Sequence, residues 1–170
     1  MTGLDRIREH MTAFLTARGV QAVAAWPGQG RRRLSGPVAA VSIRACEGGP
    51  SGFRDMLMFP CGVFGYDRDS GQWQELYGRK VQVTFGLDLY APRESGAAGC
   101  QTLFDNLAEA LAAGGPEGLK LHTLSRGETA FDRETGLFHC PAEAQCGAWL
   151  YAVADEGGTF LDFEVRGERA

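Results

Sequence analysis

Apolar residues recur along this chain in two rhythms. Over residues 3–18, Leu4, Ile7, Met11, Phe14 and Leu15 fall three and four positions apart and share one side of a helix. Thr2 is placed to cap its start, with Asp5 three residues on, and Gly19 to end it. A second helical stripe of Cys100, Leu103, Phe104, Leu107 and Leu111 runs over residues 98–113. It stops at Gly114, Gly115 and Pro116. Elsewhere the period is two. Val81, Val83, Phe85, Leu87 and Leu89 alternate with Lys80, Gln82, Thr84, Gly86 and Asp88 through residues 79–90. That pattern predicts a central strand with one face in the core. Further strands are expected at 20–26, 38–45, 119–126, 137–153 and 160–166. The first two, joined by a Gly- and Arg-rich loop at 27–36, read as a β-hairpin with a basic tip.

Residues 46–78 fit neither rhythm. Gly48, Gly49, Pro50, Gly52, Pro60, Gly62, Gly65 and Gly71 interrupt any long element, while Phe53, Met56, Phe59, Phe64 and Trp73 keep the segment apolar. The expectation is a long irregular excursion from a single domain of residues 1–170, with a small hairpin of its own. It is too apolar to stay in water without a partner. One short pattern occurs twice, at 66–73 and 131–138: aromatic, Asp, Arg, acid, hydroxyl, Gly, any residue, aromatic. A side chain that bonds nearby amides, followed by a Gly able to take positive φ, is turn chemistry. Both copies are read as hairpin turns and not as metal loops, since they lack the spaced ligands and terminal Glu of an EF-hand.

Strands in runs with two helices, rather than strict β-α alternation, indicate an α+β fold. Its sheet is mainly antiparallel, and both helices pack on one face.

Charge changes the picture more than composition does. The 170 residues have a net charge of −4, which argues against a general nucleic-acid coat. Yet residues 1–54 hold eight Arg against Asp5, Glu9 and Glu47, and the rest of the chain holds nine basic against eighteen acidic residues. A basic front and an acidic back can complement a second copy. Gly is abundant, at 24 residues, in keeping with many turns.

Candidate chemistry is sparse. The sequence has no GxSxG, HExxH, Walker or GxGxxG motif, and no catalytic, cofactor or metal residues are assigned. The N-terminus is charged within its first turns, and the longest apolar stretch, residues 56–66, is too short and broken to span a bilayer. The five Cys are read as free thiols of a chain made in a reducing cytosol. A zinc site at His139, Cys140 and Cys146 departs from the usual spacings. A thiol nucleophile at Cys140 or Cys146, served by His122, is the alternative from another class. Arg31, Arg32 and Arg33, with Phe53, Met56, Phe59, Phe64 and Trp73, are the candidates for partner contact.

The order of these signals resembles the tail-terminator (tail-completion) proteins of tailed bacteriophages and related prophage-derived contractile particles. The shared features are the opening amphipathic helix, an early hairpin with a long polar loop, and the strand pattern over 77–92. The helix at 100–113 and the β-rich end at 160–167 complete the layout. The resemblance implies a structural virion component, not an enzyme and without a cofactor, whose copies form a hexameric ring. The ring would cap the tail tube, end its polymerisation and offer a surface to the head or neck connector, with the sheath as a further neighbour. It implies no membrane contact and no specific nucleic-acid binding, although DNA could pass through the ring. Another head–tail connector or tail-assembly component is the alternative within the same class. On this reading the 46–78 excursion packs on a neighbouring subunit, the tube or the sheath.

Overall fold

The computed structural model describes residues 3–24, 34–48, 64–67, 72–112, 115–116, 119–154 and 160–166. In chain order the elements are α1 (Gly3–Ala17), β1 (Ala22–Ala24), β2 (Val38–Gly48), β3 (Phe64–Asp67), β4 (Gln72–Pro92) and α2 (Gly96–Ala112). Five strands follow: β5 (Lys120–Arg126), β6 (Ala130–Asp132), β7 (Leu137–Cys140), β8 (Ala142–Ala154) and β9 (Phe160–Arg166). The fold is α+β, with a mainly antiparallel sheet and two helices.

β4 is the axis of the sheet. Its 21 residues extend for about 70 Å at roughly 3.3 Å per residue. On one edge it pairs antiparallel with β2 and, further along, with β3. On the other edge β7 and β8 pair with it in one continuous register, from Pro92 opposite Leu137 to Glu75 opposite Ala154. Pro141, which lacks an N–H, therefore falls opposite Asp88, where β7 gives way to β8. The outer edge of β7–β8 is lined in turn by β6, β5 and β9, all antiparallel to it.

Alternation sorts the residues of β4 between two environments. Val81, Val83, Phe85, Leu87, Leu89 and Ala91 are buried, in one cluster with Ile7, Met11 and Leu15 of α1 and Cys100, Leu103, Leu107 and Leu111 of α2. Ala142, Ala144, Cys146 and Ala148 of β8 join them, so both helices cover the same face. α2 lies against β4 and β7 on that face. Among the described residues no polar or charged side chain is buried. α1 lies against β1 and β2 at one side of the sheet and also touches β9 at the other, so the sheet curves around it.

The end of α1 follows from a single glycine. Gly19 takes φ +83°, its N–H bonds to Thr16 O at 3.0 Å, and Val20 N–H bonds to Leu15 O at 3.0 Å. These are the two bonds of a Schellman cap, closed by the buried pair Leu15 and Val20. Leu4 is 38% exposed and is not part of the buried stripe.

Two expectations need correction. β1 begins at Ala22 rather than Val20 and runs parallel to β2, so the two strands are not a hairpin. Parallel neighbours need a return connection, and residues 25–37 supply it. The span 46–78 is not loop throughout, because residues 46–48, 64–67 and 72–78 are strands of the main sheet. The partners of residues 46–48 and 75–78 are remote in sequence, which no local pattern of Gly and Pro reveals. The small hairpin is β3–β4, with Tyr66 opposite Trp73.

Candidate functional site

The face of the sheet away from the helices carries the polar residues of the alternating strands, and a bulge concentrates them. The register between β2 and β4 shifts between Ile43 and Ala45, which leaves Arg44 as the extra residue. Its side chain lies across β4 directly over Gly86. A Cβ there would sit 2.5 Å from Arg44 Nε and 2.5 Å from Ser42 Oγ. The glycine is what lets the guanidinium cross the strand. Arg44 Nη2 donates to Asp88 Oδ1 at 3.0 Å, and Nη1 donates to Glu143 Oε1 on β8. Asp88 Oδ1 also meets His139 Nε2 of β7 at 2.9 Å, and the His139 ring stacks on Tyr90 at 4.8 Å. Beyond this chain, Gln82 Nε2 donates to Gln145 Oε1 at 3.1 Å.

The cluster links β2, β4, β7 and β8. His139 stands two residues before Pro141 and Glu143 two after, so both flanks of the break in the β7–β8 strand are tied to Asp88 and Arg44. Partial burial pulls the Arg44 pKa down, but the hydrogen bond to Glu143 and the charge of Asp88 outweigh it and hold the group above its usual value. Burial, aided by the Asp88 carboxylate, pushes the Tyr90 phenol up. With side-chain exposures of 35% for Arg44 and 42% for Glu143, water screens the pairs.

A second bulge repeats the device. The β5–β8 register shifts between Leu121 and Thr123, and a Cβ on Gly147 would lie 2.7 Å from His122 Nε2. His122 and His139 thus belong to the open face, while Cys140 and Cys146 are fully buried on the helix face. The backbone of the sheet separates thiols from imidazoles. The geometry therefore brings together neither the Cys–His pair nor the zinc set of the sequence reading. Burial pushes the Cys146 thiol up to about 12 and the Cys100 thiol up to about 11, so both are held protonated at neutral pH.

The repeated turn motif is visible in full at 131–138. Asp132 accepts from Glu134 N–H at 2.9 Å and from the Thr135 hydroxyl at 2.7 Å, while Gly136 takes φ +72°. These bonds, led by that from Thr135, lower the Asp132 pKa. Phe131 and Phe138 face each other across the hairpin with ring centroids 5.0 Å apart.

Of the sequence candidates for partner contact, Arg31, Arg32, Arg33, Phe53, Met56 and Phe59 lie outside the described residues. Phe64 begins β3 opposite Glu75, and Trp73 is on β4 opposite Tyr66. Arg44, Asp88 and Glu143 were not among the candidates, and His139 was considered only beside Cys140 and Cys146 as a zinc ligand. The available signal was Gly86, an isolated glycine inside an otherwise regular alternation. No protein-family model matches the chain, and no curated protein matches it.

Proposed function

We propose that the chain is a structural component of a phage-type tail, a terminator whose copies close a sixfold ring on the end of the tail tube. The observation that carries the reading is the arrangement around β4. The opening helix, the long central strand, the second helix and the β-rich end follow one another in the order on which the resemblance rests, while parallel β1 and β2 stand where that layout has an early hairpin. The charged groups of the open face fit a structural part, because Arg44, Asp88, Glu143 and His139 bond to one another. The ring would end tube growth and present a surface to the head or neck connector, in the virion or in a headless tail-like particle. Heterologous contacts close a ring when the rotation between copies divides a full turn. Cryo-electron microscopy of particles carrying the chain tests this: six copies around the axis at the tube end are expected. A single copy, or a twofold dimer, would overturn it.

A further inference from the structure

We infer that Cys100 of α2 and Cys140 of β7 form a buried dithiol, an oxidation site that a hydroperoxide closes into a disulfide joining the helix to the sheet. Both thiols are free, fully buried and on the helix face. Cys100 Sγ lies 3.6 Å from Phe138 O of β7 and 3.8 Å from Leu89 O of β4. Leu89 is the register partner of Cys140, and Phe138 precedes Cys140 by two positions on the same face. A sulfur that reaches both carbonyls stands over the seam between β4 and β7, about one residue step of 3.3 Å along the strand from Cys140. The Cys140 sulfur is turned toward the outer edge, 3.5 Å from Gly127 O. Rotation about χ1 to another staggered well swings it toward Cys100.

The other described cysteines are placed differently. Cys46 and Cys146 flank Val83 from opposite edges of β4, which sets their Cα atoms about 10 Å apart, beyond the ~7 Å that a disulfide spans. That row is six residues along β4 from Leu89, roughly 20 Å from Cys100 and Cys140. Cys61 lies outside the described residues.

A hydroperoxide, ROOH, enters at the break in the outer edge, where exposed Gly127 follows β5, and meets Cys140 first. The Cys140 sulfur attacks one peroxide oxygen. The O–O bond breaks, ROH leaves with the thiol proton, and a sulfenic acid stands on Cys140. The Cys100 sulfur then attacks the Cys140 sulfur. An S–S bond forms, the S–O bond breaks, and hydroxide leaves as water with the Cys100 proton. The two thiols lose two electrons, and the peroxide is reduced to ROH and water. Without an oxidant the pair stays reduced. Burial, with Cys140 beside it, pushes the Cys100 thiol up to about 11, so at pH 7 it is thiolate at roughly one part in ten thousand.

Peptide mapping tests the inference. The native full chain is treated with dilute hydrogen peroxide, capped with iodoacetamide in denaturant and digested. The expected result is a chain lighter by two hydrogens, with the Cys100 and Cys140 peptides joined and released by dithiothreitol. Cys100→Ala and Cys140→Ala should each abolish the bridge, and Cys46→Ala/Cys61→Ala/Cys146→Ala should keep it. Circular dichroism checks their folding, and the wild-type map decides even where a variant fails to fold. Closing a loop of about 40 residues should also lower the urea unfolding constant several-hundredfold. A bridge between any other pair would overturn the inference, as would both thiols staying free or passing to sulfinic acid. A bridged chain that unfolds at the same or lower urea than the reduced one would show that the native fold does not hold the two sulfurs in place.

Discussion

Gly86→Ala should cost far more than one methyl group suggests. The backbone at Gly86 is not in the left-handed region, so alanine fits its conformation, and the exchange alone would gain about 0.5–1 kcal/mol from a stiffer unfolded chain. The new Cβ, however, would lie 2.5 Å from Arg44 Nε and 3.0 Å from Arg44 Cγ, in the middle of that side chain. Arg44 must leave the strand, and its pairs with Asp88 and Glu143 go with it. At these exposures each pair is worth about 0.5 kcal/mol. Crowding against β2 adds roughly 1–2 kcal/mol. The net loss is about 1.5 kcal/mol, or about 3–6 °C in Tm for a chain of this size. Urea unfolding of Gly86→Ala, Arg44→Ala and the double variant separates the causes. With Arg44 truncated, the nearest obstacle to the new methyl is Ser42 Oγ, and its rotation gives up one long hydrogen bond of 3.4 Å. Gly86→Ala should then be within about 0.5 kcal/mol of neutral, a coupling of roughly 1.5 kcal/mol. Equal costs in both backgrounds would show that the glycine does not seat Arg44.

Phe85 is fully buried in the middle of β4, so Phe85→Ala should lose about 3–5 kcal/mol in the same assay, and Phe85→Asp should give no soluble folded protein. Gly19→Ala should lose about 1–2 kcal/mol, because φ +83° strains any Cβ even though nothing crowds the site, and Gly19→Asn should lose less. At pH 8, a thiol held near 12 is ionised to about one part in ten thousand, so iodoacetamide should leave Cys146 unmodified in the native protein and label it only after unfolding, as read by mass spectrometry. The depressed Asp132 carboxyl contributes stability that is present above its unfolded value near 3.8 and is lost as the pH falls through its lower folded value. The stability advantage of wild type over Asp132→Ala should therefore shrink on acidification below about pH 4.

What the sequence reveals here is the pattern each element needs for itself. The stripe from Ile7 to Leu15, the Gly19 stop and the alternation from Val81 to Leu89 are local consequences of helix and strand periodicity, and they are where the pattern puts them. The turn at 131–138 is equally local, since its bonds run over two or three residues. Strand direction is different. Period two is the same for parallel and antiparallel neighbours, so nothing within residues 20–45 distinguishes β1 beside β2 from a hairpin. The full length of β4 is also hidden, because Gln72 to Gly78 is held by partners as distant as Ala154. The Arg44 cluster is the extreme case. It joins residues 44 to 99 positions apart, and it depends on a one-residue bulge that sets Arg44 over Gly86.

The terminator reading is tested most directly by adding the purified chain to tail tubes that are still growing from the particle's own tube protein, and following tube length by negative-stain electron microscopy. The account predicts that elongation halts, with a sixfold ring seated at the capped end. Tubes that lengthen at the same rate with and without the chain, and carry no density at their ends, would contradict it.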